Sequence, residues 1–422
     1  MSARAFHILR WLRRPHGGAV RWGLAILTGI LVALLTGRLA LAREAAGLFA
    51  ADRFVIGAHR INWYLRHGLS GPLLGRSLPL FDPTTEMPDR TVTTLEHYLS
   101  RRAGAGHALA LLYVKAYQIT GAPDAARQQD AITAFAAIAA PLVQDIDAPD
   151  PAAPALPAGV PPVFTLEQAR TALTALMRIA TPWYVISGTF LGAVREGTFL
   201  AHDYDIDVGV QAEDFEDAAF RAQIAATDDL VLVNTSAHLD LRLGGQGLWA
   251  GPSRPALYRV LHASGIGIDV FVHHLEGDQR WHGSAKHRWN NHDFALDDYT
   301  IADLPVQGPV DADRYLTENY GDWRTPVKSF NCSTGTANVQ FPCNPSALAE
   351  HLRIALAPVP SHEAQIARLI LWQEGYLHHQ DERTAICVFP QAAAARRNGD
   401  CIALAENDNE AAVSAARVVD KR

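Results

Sequence analysis

A chain of 422 residues with 49% hydrophobic and 19% charged side chains exceeds the usual size of one domain. That length supports two or three folded units, and the composition excludes general disorder. The formal charge is −7, from 37 basic and 44 acidic side chains. That balance excludes an enzyme that grips long nucleic acid, which needs a concentrated basic face, but leaves a nucleotide or sugar-phosphate substrate open, because a metal ion can supply positive charge.

Arg4, Arg10, Arg13, Arg14 and Arg21 precede an apolar stretch from Trp22 to Gly37, followed by Arg38 and Leu39-Ala40-Leu41-Ala42. Sixteen helical residues span about 24 Å, short of the roughly 30 Å hydrocarbon core. Including Arg38, whose stem can snorkel, brings the segment to membrane length. Residues 1–43 therefore read as a basic leader with a single-pass transmembrane signal anchor, or as a signal peptide cut near Ala42; Arg38 and the long leader favour the anchor. Arginine counts of five before the segment and three after it (Arg38, Arg43, Arg53) place the catalytic part across the membrane from the cytoplasm.

Residues 44–148 read as a helical accessory region, with apolar residues at three-to-four spacing over 108–117 and from Asp130 onward, separated by Gly121-Ala-Pro123. Residues 149–162 are proline-dense and form a linker that can continue neither a helix nor a central strand. An amphipathic helix is expected from Leu166 to Ala180, with Leu173, Leu176 and Ile179 on one face. Trp183-Tyr184-Val185-Ile186 reads as a short buried strand. Strand and helix patterns then alternate through residues 163–330. Residues 331–422 read as a C-terminal helical extension, with a helix near 361–377 and a charged, Ala-rich tail after 404. The cysteines Cys332, Cys343, Cys387 and Cys401 form no C-x-x-C pair, so their spacing argues against structural zinc.

Chemistry concentrates in three places. In Ser187-Gly188-Thr189 a strand ends, glycine permits close backbone approach, and Thr189 can cap the helix that follows. Free N–H groups at a helix start make a natural phosphate cradle. In Asp203-Tyr204-Asp205-Ile206-Asp207-Val208, strand alternation points Asp205 and Asp207 to one face and Tyr204 to the other. Two such carboxylates repel unless paired, and a hard cation such as Mg²⁺ or Mn²⁺ resolves this. Asp145-Ile146-Asp147 repeats the tripeptide but runs into the linker, so the strand setting is what gives the pattern meaning. In Gly265-Ile-Gly-Ile-Asp269-Val-Phe-Val272 a lone aspartate sits opposite an apolar face, costly to bury unless paired or metal-bound.

Helix-start Gly-Thr, two alternating aspartates and a later lone aspartate form the layout of the nucleotidyltransferase superfamily. The stretch from Ser187 to Asp207 resembles the LicD/fukutin family, with its SGTLLGAVR-like run and following aspartate-rich block. Ile268-Asp269-Val270-Phe271 and Tyr315-Leu316, Tyr320-Gly321-Asp322-Trp323 and Pro326 extend the likeness over roughly 165–330. Tyr204 departs from it, standing where many relatives have another aspartate.

The resemblance implies an α+β, nucleotidyltransferase-like mixed sheet flanked by helices. It implies a metal-dependent phosphotransferase that moves a phospho-alcohol, phosphocholine- or polyol-phosphate-like, from a CDP-linked donor to a cell-surface glycan or polymer. Asp205, Asp207 and Asp269 would hold Mg²⁺ or Mn²⁺, with Asp269 orienting or deprotonating the attacking hydroxyl. Ser187, Gly188, Thr189 and Arg195 would hold the donor phosphates, although Arg195 fits a surface salt bridge nearly as well. The expected partners are the donor, the acceptor and the membrane, with no nucleic acid. A cytosolic CDP-linked donor puts the site on the cytoplasmic side, against the arginine bias, so the side stays open. Two alternatives remain: a small-molecule nucleotidyltransferase of the same superfamily, and a catalytically silent, membrane-tethered glycan-binding scaffold. His273, His274, His282, His287 and His292 match no helical zinc pattern and read as solvated or substrate-adjacent; Trp281, Trp289 and Trp323 read as core or as stacking surfaces.

Overall fold

The computed structural model describes residues 105–149 and 163–389, with short breaks at 121, 123, 239–240, 245–246, 251–253, 285–286, 328–329, 331, 342–343, 358–360 and 381–382, together with isolated positions before 105. Among the described residues no helix is long and apolar enough to cross a membrane. The leader and apolar stretch of residues 1–43, and the proline-dense run from 150 to 162, lie almost wholly outside them.

The chain forms two compact units. Isolated early positions aside, the described residues of one fall within Gly159–His238 and Arg254–Phe341; those of the other fall within Asn62–Ala158, Leu239–Ser253 and Pro342–Arg422. In the latter, helices Ala105–Thr120 and Ala125–Val143 carry the expected spacing, the second capped by Asp124, whose carboxylate accepts the Arg127 N–H at 2.8 Å. The C-terminal part is less helical than its composition suggests. Helices Pro345–Ala355 and His362–Gln373 are followed by a hairpin of Leu377–Gln380 with Arg383–Ile386. The charged tail lies outside the described residues.

The unit of interest opens with α1 (Leu166–Leu176), closed at its start by a capping box in which Thr165 and Gln168 satisfy each other's backbone N–H groups. The helix is shorter than the apolar pattern predicts. It leaves through a turn at Met177–Arg178, ahead of Pro182. Leu173, Leu176 and Ile179 are nonetheless all buried. Then follow β1 (Tyr184–Val185), α2 (Ser187–Glu196), β2 (Asp205–Gln211), α3 (Asp217–Ala226), β3 (Leu230–His238), β4 (Arg254–His262), β5 (Gly267–Glu276), β6 (Gln279–Gly283) and β7 (Arg288–His292). A separate hairpin, β8 (Leu296–Ile301) with β9 (Leu304–Pro309), precedes α4 (Ala312–Tyr320), α5 (Cys332–Gly335) and β10 (Val339–Gln340).

Eight of these strands form one mixed sheet. β5 is its hub: it runs parallel to β2 and antiparallel to β4 and β6, while β1 adds to β2 and β3 to β4. The architecture is therefore α+β, a mixed sheet flanked by helices, as the resemblance implied. Ile206, Val208 and Val210 of β2 and Ile268, Val270 and Val272 of β5 are buried in a core shared with α1, α2 and α3. That leaves the opposite edge of each pleat to carry polar groups.

Close packing places α2 against the loop leading to β2. A Cβ at Gly192 would lie 2.6 Å from the Thr198 carbonyl oxygen and 3.2 Å from the Leu200 nitrogen, backbone atoms that cannot swing aside. Gly192→Ala should therefore destabilise the unit by about 1–3 kcal/mol. Urea unfolding of the two proteins checks this; unchanged midpoints would mean the loop relaxes freely.

Candidate active site

Sheet register brings the acidic residues together. Asp207 on β2 is the parallel partner of Asp269 on β5, and Asp269 is in turn opposite Arg259 on β4. Directly opposed residues share a face of a pleated sheet, so Asp207, Asp269 and Arg259 form a row across three strands, with Asp205 two residues along on the same side. One carboxylate oxygen from each of Asp205, Asp207 and Asp269 can be chosen so that all lie within 4.8 Å of one another. Arg259 grips Asp269 with two parallel bonds, Nε to Oδ1 at 2.8 Å and Nη2 to Oδ2 at 2.6 Å.

One guanidinium does not balance three carboxylates. Desolvation pushes the Asp205 carboxyl up to about 7, with the charges of Asp269 and Asp203 adding to it. Burial, then the charges of Asp205 and Asp269, push Asp207 well above the usual carboxylate range. Groups so placed are ionised at neutral pH only at a cost that a bound cation would offset. An all-oxygen set of this size fits a hard divalent ion such as Mg²⁺ or Mn²⁺.

The start of α2 borders the same place. Ser187 takes a left-handed backbone (φ 49°), an unusual conformation for a residue with a side chain, and opens the helix with Ile186 as its N-cap. No side chain caps this end. The first N–H groups of a helix have no intrahelical partner, and Ser187 and Gly188 line the cleft, as a phosphate cradle requires. A Cβ at Gly188 would lie 3.3 Å from Asp203 Oδ2. Asp203 itself is half-buried, and burial lifts its carboxyl to about 6.

Thr189 is not the helix cap that its sequence position suggested. It is fully buried, and its hydroxyl accepts the Asp207 N–H at 3.0 Å, so it ties α2 to the acid-bearing strand. Arg195 lines the cleft and also forms the salt bridge its sequence position allowed, with Glu196, although its own side chain is only 14% exposed. Nη1 donates to the Trp323 carbonyl at 3.1 Å and Nη2 to Glu196 at 2.9 Å, joining α2 to the Tyr-Gly-Asp-Trp segment.

These groups edge a cleft of about 400 Å³. Tyr204 corrects a second expectation. β2 begins at Asp205, so strand alternation does not govern Tyr204, which is half-exposed and lines the cleft beside the acids. Tyr320, Asp322 and Trp323 close another wall. His273, His274 and His282 are buried rather than solvated; burial pushes His282 down to about 3 and His273 well below the ordinary histidine range. His282 and His287 stack on Trp289 at ring distances of 5.4 and 5.1 Å, so that tryptophan is engaged by two imidazoles. Trp281 is fully buried, and exposed His292 pairs with Glu318. Cys332 is an exposed thiol at the cleft and Cys387 a buried one, while Cys343 and Cys401 lie outside the described residues.

Arg259 is the residue that motif reasoning passed over. Its signal was available: Ala256, Tyr258 and Val260 alternate inward, and a hairpin turning at Ser264-Gly265 pairs position 259 with 269. Asp269 is also less suited than expected to take a proton from a hydroxyl, because both its oxygens already accept from Arg259.

Comparison with known proteins covers the segment that holds these residues. Residues 181–296, which hold Ser187, Arg195 and all three aspartates, match the family described as LicD/FKTN/FKRP, nucleotidyltransferase domain. Over 182 residues the chain is 25% identical to Ribitol-5-phosphate transferase FKTN of Homo sapiens, and 24% identical to the proteins of that name from Macaca fascicularis and Mus musculus. The alignment takes in 41% of this chain and 36% of each relative, so the chain matches about a third of their length. Residues 181–296 thus carry this chain's likeness to the LicD/fukutin family.

Proposed function

We propose that this protein is a metal-dependent phosphotransferase that moves a phospho-alcohol, of the phosphocholine or polyol-phosphate type, from a CDP-linked donor to a glycan or related polymer. The observation that carries the reading is the convergence of Asp205, Asp207 and Asp269 beside the open N-terminus of α2. The family match and the ribitol-phosphate activity in the relatives' name support it. The acceptor hydroxyl attacks the donor's distal phosphorus: a new P–O bond forms, the bond to the CMP phosphate breaks, and the hydroxyl proton is released.

A divalent ion held by the three aspartates would screen the diphosphate and stabilise the departing phosphate. The chain's own groups do the rest. The N–H groups of Ser187 and Gly188 receive phosphate oxygens along the helix dipole. Thr189 fixes the backbone of Asp207, and Arg195 holds the Trp323 wall in place. The basic leader and apolar stretch of residues 1–43 would tether the protein to a membrane, where polymer acceptors are assembled.

The test is CMP release from CDP-choline, CDP-ribitol and CDP-glycerol in Mn²⁺ or Mg²⁺, with and without a glycan extract. Metal-dependent CMP formation that one donor and one acceptor preparation accelerate is the expected result. No cleavage of any CDP-linked donor, with other nucleotide-linked donors turned over instead, would shift the assignment to a small-molecule nucleotidyltransferase. Absence of turnover with every nucleotide would leave a binding or scaffold role.

A further inference from the structure

A diphosphate donor enters this cleft against its charge. Asp203, Asp205, Asp207, Asp269 and Asp322 all line it, and among the described lining residues the Arg or Lys side chains are Arg195 and Arg259 alone. Arg195 is committed to the Trp323 carbonyl and to Glu196 and is mostly covered. Arg259 differs in both respects: its side chain is 53% exposed, and only one edge of its guanidinium is used. Nε and one face of Nη2 hold Asp269. A guanidinium carries five N–H donors in a planar fork, so both hydrogens of Nη1 and the second of Nη2 remain. They form a second bidentate edge, directed away from Asp269. The arginine is also pre-set: Asp269 is 7% exposed and clamps the fork in one plane, so little side-chain freedom is left to lose when an oxyanion arrives. Burial lowers and the neighbouring carboxylates raise the proton affinity of Arg259, the bond to Asp269 being the largest influence, and the side chain stays charged.

Resting on the transferase reading above, we propose that Arg259 is a direct ligand of the donor diphosphate. Its outer Nη1–Nη2 edge takes two phosphate oxygens while its inner edge stays on Asp269. Asp269 then has two tasks, contributing an oxygen to the cation site and aiming the arginine, since each carboxylate oxygen has two lone pairs. The geometry divides the diphosphate between three holders on one side of the sheet: the α2 N-terminus, the acid-bound cation and Arg259. A lysine could supply the charge at position 259 but not the paired edge.

Calorimetric titration with two probes, inorganic pyrophosphate and CDP, in saturating Mn²⁺ tests this on the full chain, its Arg259→Met variant and its Arg259→Lys variant. Titration with Mn²⁺ alone monitors the acid cluster. The expected result is that Arg259→Met weakens both probes roughly ten- to hundredfold, as loss of a charge-assisted bidentate contact does. Arg259→Lys should recover only part of that loss, and Mn²⁺ alone should bind either variant as tightly as the wild type or more so. Wild-type affinity for both probes in a folded Arg259→Met protein would overturn the proposal, and so would full recovery by lysine of the paired edge. If the wild type binds pyrophosphate but not CDP, the cytidine-linked donor falls, and Arg259 is judged on pyrophosphate. If the wild type binds neither, both proposals fall. Should Arg259→Met not fold, Arg259→Lys decides: affinity equal to wild type for pyrophosphate counts against the paired edge, and a clear loss supports it.

Discussion

Asp207→Asn should abolish metal-dependent transfer and, in the same protein, raise the thermal midpoint measured without metal. Both effects follow from where Asp207 sits. Its carboxyl is raised well above the ordinary range by burial and by Asp205 and Asp269, so the ionised form is a burden on the metal-free fold. Asparagine removes that burden while keeping the shape of the side chain. It also removes one of three oxygen ligands; because the loss of outer-shell partners alone commonly costs about 10–100-fold in metal affinity or activity, the loss of a ligand should exceed about a hundredfold. Each kcal/mol regained is worth about 2–4 °C for a unit of this size. Differential scanning fluorimetry with and without Mn²⁺, beside the CMP-release assay, reads both. A variant less stable than wild type in chelator, and still stabilised by Mn²⁺, would mean that Asp207 is a structural residue.

The second large effect is on pH. Asp205 is lifted from 3.8 to about 7, and Asp207 is also raised well above the usual carboxylate range by burial and its acidic neighbours. A carboxyl whose folded value lies above its unfolded value holds its proton more tightly in the folded state. Its contribution to stability is complete below about pH 4 and is lost as pH rises through about 7. Metal-free protein should therefore lose stability from this cluster between about pH 4 and 7, at no more than about 1.4 kcal/mol per pH unit for each carboxyl. Because the cation binds the deprotonated form, Mn²⁺ stabilisation should grow over the same interval. Other carboxylates work in the opposite sense, Glu318 among them, held low by Asn291 and His292 despite its own desolvation. The informative quantity is thus the difference between wild type and Asp205→Asn/Asp207→Asn across the series. A difference that does not change with pH would show that these carboxyls titrate normally.

Much of the site was legible because it is built from local patterns. Alternation placed Asp205 and Asp207 on one face and isolated Asp269 on its apolar strand, and the structure has all three on adjacent strands. What single segments could not carry is register between segments. That Asp207 lies directly opposite Asp269, and Asp269 opposite Arg259, depends on pairing across a parallel crossover and a hairpin. The partners of Thr189 and Arg195 were out of reach for the same reason: the Asp207 N–H and the Trp323 carbonyl are 18 and 128 residues away. Tyr204 was misplaced because alternation was extended one residue beyond the strand's true start. In the fold, α1 was overextended through a real apolar stripe that continues into a turn, since Ile179 is buried without being helical.

The central claim is that Asp205, Asp207 and Asp269 hold a divalent cation at the point where donor phosphates meet α2. Crystals grown with Mn²⁺ and CDP, measured near the manganese absorption edge, test it most directly. One or more anomalous peaks are expected within coordinating distance of these three carboxylates, with diphosphate density reaching the N–H groups of Ser187 and Gly188. Ordered CDP in the cleft with no anomalous peak at the aspartates would contradict it, as would manganese bound only elsewhere.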